Sequence, residues 1–140
     1  MALSTRIATA VPVIEAFMKF SGGIVADLKR RNIAELDIEL MGLRRTELDE
    51  ELDNAKRQLE RAVIQQKAIT EQDLISRGLS NTTLRQSMLL AIDRDAVEQI
   101  ETLMREYNRT MEQIALTECK IAQHGSSWWA RVRLPRLPRR

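Results

Sequence analysis

One cysteine, one histidine, one tyrosine, three prolines and five glycines in 140 residues remove several classes of protein at once. With Cys119 alone, no intramolecular disulfide framework can form, and a lone cysteine in a helical pattern reads as a buried or half-buried small hydrophobe. It fits a reducing interior, although it leaves the compartment open. With His124 alone, a zinc pair of the HExxH kind and a di-metal Glu-x-x-His site are both excluded. No CxxC, P-loop or GxGxxG occurs, and Gly22-Gly23 lacks the following lysine of a phosphate loop. A hydrolytic triad would need His124 and Cys119 brought together, yet they stand five residues apart on different faces of one helical pattern. The sequence therefore points away from an enzyme, and no cofactor or metal is expected.

Long uncharged apolar runs are missing too. The first twenty residues carry one early cation, Arg6, and Glu15 and Lys19 interrupt their apolar stretch, which is not the plan of a classical secretory signal. Some fourteen residues of helix there would reach roughly 21 Å, short of the roughly 30 Å of a bilayer's hydrocarbon. Scarce aromatics (4%) and scarce chain breakers favour long helices over a mixed fold.

What the chain does have is helical periodicity. From Ile33 the apolar positions run Leu36, Leu40, Leu43, Leu48, Leu52, Ala55, Leu59, Ala62, about 3.6 residues per step, the period of an α-helix and not of a strand. Charged residues fill the opposite side. The spacing predicts a single helix over Ile24–Ile69, with a drift in phase near Gly42. Asp49, Glu50, Glu51 and Asp53 cluster on it, but Arg44, Arg45, Lys56 and Arg57 stand at ion-pairing distances along the helix, so solvated pairs are expected rather than a metal site. Ahead of it, Ile7, Val11, Ile14 and Met18 with Phe17 and Phe20 mark a short helix over Ser4–Phe20, which Pro12 either kinks or starts. Ser21-Gly22-Gly23 reads as the break between the two.

Thr70 reads as the N-cap of a short corner helix, Glu71 to Arg77, closed by Gly78. Ser80 or Asn81 then caps a second long helix, with a stripe at Leu89, Ile92, Ala96, Ile100, Leu103, Tyr107, Ile114 and Ile121. From Ile100 its repeat approaches a heptad, with Thr110 and Thr117 in one seam position. Threonine weakens apolar packing there but can bond a helix carbonyl. His124 and Gly125 read as its terminus.

These elements predict an all-α fold: an elongated antiparallel helical hairpin of two long helices plus a short N-terminal helix. The expected divisions are 1–23, the apolar helix and Gly-Gly break; 24–125, the hairpin with its corner near 70–81; and 126–140, a basic tail. The seam that carries assembly is expected at Leu36, Leu40, Leu43, Leu48, Leu52 and Leu59 on one helix and Leu89, Ile92, Ile100, Leu103, Tyr107, Ile114 and Ile121 on the other. A lone hairpin leaves Leu28, Ile38, Met41, Val63, Ile64, Ile75, Met88, Leu90, Val97, Met104, Met111 and Leu116 beside or outside that seam. Exposing each large side chain forfeits roughly 1.5–3 kcal/mol, so a homo-oligomer with a four-helix core, or a protein partner, is expected.

The tail has its own chemistry. Arg131, Arg133, Arg136, Arg139 and Arg140 lie there without an acid, so with a total charge of +2 the first 125 residues sum to −3. Contact with an anionic membrane or a nucleic acid could come only from this segment. Trp128 and Trp129 suit a membrane interface, or could tuck against Phe17 and Phe20 at the hairpin's open end. Pro135 to Arg140 also fits the PxxPx(R/K) pattern of polyproline ligands. The function expected is a structural or scaffolding one through self-association and protein contacts; the alternatives are a peripheral membrane adaptor or a nucleic-acid accessory protein working through the tail.

Overall fold

The computed structural model describes the backbone of residues 6–7, 9–79 and 81–133, and the side chains through His124. Among these residues there is no strand. The order is α1 (Ala10–Arg30), a 3-10 turn (Ile33–Glu35), α2 (Ile38–Ser76) and α3 (Thr83–Arg133).

Polar contacts between helices give their directions. Glu71, Lys67, Asp49 and Arg45 of α2 meet Arg85, Asp93, Tyr107 and Glu118 of α3 in reversed order, so the two long helices run antiparallel. The Ile7 amide and Ser21 meet Asp95 and Glu106 in the same order, so α1 runs alongside α3. The result is an up-down-up arrangement of unequal rods. At 1.5 Å per residue the 21, 39 and 51 residues make about 32, 58 and 77 Å, and α1 can cover only about half of the hairpin.

The expected break at Gly22-Gly23 is not there, because α1 runs straight through it. Both glycines are exposed, and a Cβ at either would meet nothing within 4 Å. They cost helix propensity, about 0.8–1 kcal/mol each against Ala, but the neighbouring Phe17, Ser21, Ile24 and Leu28 are buried and hold the helix closed. Pro12 sits in the first turn, where its missing N–H goes unused.

The break falls instead at residues 31–37, which divides the helix expected over Ile24–Ile69. Asp37 takes an extended conformation as N-cap of α2, and its Oδ1 accepts the Leu40 amide at 2.6 Å. Apolar spacing hides this turn: Ile33 is half-buried and Leu36 buried, as they would be in a continuous helix.

The separate corner helix is likewise absent. Thr70 is a buried residue in the interior of α2, which continues to Ser76. Gly78 does close it, with φ +73. Its N–H donates to Ile75 at 3.0 Å, and the Leu79 N–H donates to Leu74 at 2.8 Å, the paired bonds of a Schellman terminus. A left-handed φ there favours glycine. α3 begins at Thr83, beyond both expected caps; Asn81 is a turn residue, and Ser80 lies outside the described residues.

The expected end of α3 at Gly125 is also overtaken. The helix continues to Arg133, since one glycine is tolerated at a cost of about 1 kcal/mol and strong breakers arrive only with Pro135. His124 is thus an exposed residue inside a helix and not at its end.

Two consequences can be measured by urea denaturation. Gly22→Ala and Gly23→Ala are each expected to stabilise the chain by roughly 0.5–1 kcal/mol, an increase that a true turn at these residues would turn into a loss. Phe17→Ala is expected to cost about 3–5 kcal/mol, because Phe17 is fully buried.

Candidate functional site

The central cluster combines one stripe from each helix. Ile14, Phe17, Ile24 and Leu28 of α1 join Met41, Leu48, Leu52, Ala55, Leu59 and Ala62 of α2 and Ile92, Leu103 and Ile114 of α3. Of the expected seam, Leu36, Leu48, Leu52, Leu59, Ile92, Leu103 and Ile114 are buried, and Leu40, Leu89, Ile100, Tyr107 and Ile121 are half-buried. Leu43 is the exception at 54% exposure. Met41 takes the core position in that turn, so the stripe changes phase beside Gly42. The seam thus lies between helices of one chain.

Threonines of the α3 heptad behave as their chemistry suggests. Thr110 is buried and Thr117 partly so, and their hydroxyls donate to the carbonyls of Glu106 at 3.0 Å and Gln113 at 2.8 Å. Each hydroxyl is thereby satisfied four residues back along its own helix.

Three polar ties seat α1, and none was legible in the sequence pattern. The backbone N–H of Ile7 donates to Asp95 Oδ2 at 2.8 Å, and the fully buried Ser21 donates to Glu106 Oε1 at 2.9 Å. At the other end Arg44 donates through Nη2 to Asp27 at 3.0 Å and through Nη1 to Glu47 at 2.9 Å, while Arg31 Nε bonds both Asp27 oxygens. The Arg44 Nε is buried without an acceptor. Burial pushes the Asp27 carboxyl upward, but the hydrogen bonds and charges of Arg31 and Arg44 together overcome it and hold the group below its ordinary value.

Arg44 and Arg45 therefore reach to other helices rather than to Asp49, Glu50, Glu51 and Asp53. Arg45 Nε bonds Glu118 at 2.7 Å. Asp49 instead accepts the Tyr107 hydroxyl, and this bond, followed by burial and the Asp49 charge, raises the tyrosine pKa. Among the described residues no group of three or more His, Cys, Asp or Glu side chains is placed to hold a metal.

Cys119 is exposed, against the expectation of a buried or half-buried site. It stands five residues after Ile114 and two before Ile121, which turns it away from the core side of α3. Trp128, Trp129, Arg131 and Arg133 belong to the α3 backbone, but their side chains lie outside the described set; Arg136, Arg139 and Arg140 lie outside the described residues altogether. So does the polyproline pattern. No described helix is long and apolar enough to cross a membrane.

The apolar residues expected beyond the seam divide sharply. Leu28, Met41 and Met88 are buried, and Val63, Met104 and Met111 are half-buried. Ile38, Ile64, Ile75, Leu90, Val97 and Leu116 remain exposed, as do Ile69 and Leu84. Ile69, Ile75, Leu84 and Leu90 lie on the hairpin beyond Asp95, past the point where the chain leading into α1 is tied to α3. No family model, curated protein or solved structure matches the chain.

The two shifted groups give opposite pH signatures. Asp27, with its folded pKa depressed, stabilises above the ordinary carboxylate range and loses that contribution as pH falls through its folded value. Asp27→Asn is expected to flatten the acid limb of the urea midpoint plotted against pH. Tyr107, with its folded pKa raised, contributes below the ordinary phenol value of about 10 and loses that contribution as pH rises through its folded value. As the chain's single tyrosine, it can be titrated by its tyrosinate absorbance. Its midpoint is expected above 10 in the native chain and closer to 10 in Asp49→Asn.

Proposed function

We propose that this chain is a structural subunit that works by helix–helix association, first with copies of itself and then with other proteins. The observation that carries the proposal is the apolar surface left after the bundle has closed: Ile64 is 69% exposed, Leu90 57% and Val97 55%. Isolated exposed hydrophobes are ordinary on a protein surface. Here they recur on faces of the long rods that no other helix of the chain covers, and burying each fully is worth roughly 1.5–3 kcal/mol. A four-helix core formed by two hairpins would recover much of that energy. A role without catalysis agrees with the placement of Cys119 and His124, both exposed on α3 and too far apart in helical phase to act together.

A second proposal, contact with an anionic membrane or a nucleic acid, is supported by the continuation of α3 to Arg133. Across the bundle, Arg45 meets Glu118, and α2 starts only at Ile38, so the part of α3 beyond about residue 125 extends past the start of α2. A helical extension bearing Trp128, Trp129, Arg131 and Arg133 would carry these groups clear of the acidic body.

Sedimentation equilibrium separates the two. The full chain and a version ending at Ser126 are both expected to be oligomeric, and a monodisperse folded monomer for the full chain would remove the basis of the assembly role. Co-sedimentation with anionic vesicles that is lost in Trp128→Ala/Trp129→Ala would support the membrane contact. A steep salt dependence on DNA or RNA without tryptophan dependence would support phosphate contact instead.

A further inference from the structure

Where α1 gives way to the turn at residues 31–37, the chain leaves a recess against α3. Its volume is about 290 Å³, close to the roughly 300 Å³ at which small-molecule sites begin. α1 supplies Val25 and Leu28, the turn supplies Ile33 and Leu36, and α3 supplies Leu116. Leu28 and Leu36 are buried, Val25 and Ile33 half-buried and Leu116 exposed, so the floor is apolar and joins the core. Thr117 also lines the recess, with its hydroxyl already committed to the Gln113 carbonyl at 2.8 Å.

Lys29, Arg31 and Lys120 line the same recess, and no acid does. Arg31 is bound through Nε to Asp27. The two lysines therefore carry the uncompensated charge, since among the described residues neither forms an ion pair. Acids nearby stay outside the lining. Asp27 also holds Arg44, Glu118 holds Arg45, and Asp37 caps α2 through the Leu40 amide; Glu35 and Glu112 are exposed and do not border the recess. Lys29 in the last turn of α1 needs no ligand to explain it, because the helix dipole favours a cation there. Lys120 has no such reason, standing well before the end of α3 at Arg133. Two unpaired ammonium groups over an apolar floor complement a molecule with a negative head and an apolar body. The chain's own arginine-rich tail has the wrong sign.

We propose that this recess binds a free single-chain amphiphile with an anionic head, such as an alkyl carboxylate, its chain against Leu28, Leu36 and Leu116 and its head at Lys29 and Lys120. Lysine stems can lie along an apolar wall while their ammonium groups stay at the wet rim. The site is independent of both the assembly role and the tail contact proposed above.

Titration calorimetry on the full chain tests it, with sodium decanoate below its micelle concentration as the probe. Decanoate is expected to bind with a dissociation constant of about 1 mM or tighter, and decyltrimethylammonium, the same chain length with a cationic head, at least about tenfold more weakly. Lys29→Gln/Lys120→Gln is expected to weaken decanoate about tenfold and to narrow its advantage over the cation. Leu116→Glu, at a position already 54% exposed, is expected to remove binding with circular dichroism unchanged. Equal affinity for the two amphiphiles would overturn the proposal, as would decanoate binding that neither variant alters. Binding of phosphatidylserine vesicles without binding of monomeric decanoate would overturn it in favour of a bilayer surface, and no heat with either would overturn it outright.

Discussion

A helix can hide one stripe against one neighbour, and the structure follows from how many neighbours each stretch of the long helices has. Where α1 lies on the hairpin, each rod has two neighbours, and the cluster around Phe17, Leu48, Leu59 and Leu103 closes to near-complete burial. Beyond the Ile7–Asp95 tie the rods have only each other. Leu74 and Met88 are buried there, while Ile69, Ile75, Leu84 and Leu90 face outward. Stability is thus expected to be uneven along the hairpin, greatest beside α1 and least at the corner.

Apolar burial does not by itself fix where α1 sits along the hairpin, because its stripe could slide by a turn and meet similar side chains. Polar ties remove that freedom. Ser21 is fully buried, with its hydroxyl within reach of the Met18 carbonyl of its own turn at 3.1 Å and of Glu106 Oε1 at 2.9 Å, so sliding α1 would break the bond between helices at a net cost of about 0.5–1.5 kcal/mol. The Asp27–Arg44 pair fixes the other end, where the chain turns from α1 into α2. These contacts act on register more than on total stability, since partly exposed ion pairs contribute only about 0–1 kcal/mol each.

All-helical character, the antiparallel packing of two long helices and the alternation of Leu103, Tyr107, Thr110 and Ile114 along α3 could be read from periodicity, because periodicity records which face is buried. Helix ends were less legible. Gly22-Gly23 resembles a break, but local propensity lost to the burial of Phe17 and Ile24 on either side. Asp37 is a genuine start signal whose effect was hidden by Ile33 and Leu36, which point inward in a turn as they would in a helix. Thr70 resembles a cap, yet it follows the buried Gln66 by one helical turn and continues that face. Ser21 and Glu106 are partners across 85 residues, and nothing in their local sequence announces it. Leu90 and Val97 were visible in the sequence only as apolar residues without a place, and both are exposed on α3.

Amide hydrogen exchange of the full chain across a concentration series tests most directly whether the uncovered faces need company. Protection over residues 90–104 of α3 is expected to rise with concentration, while the α1 amides around Phe17 keep constant protection because their packing is within the chain. Protection at residues 90–104 that is the same from dilute to concentrated solution, with the native mass of one chain throughout, would contradict the account.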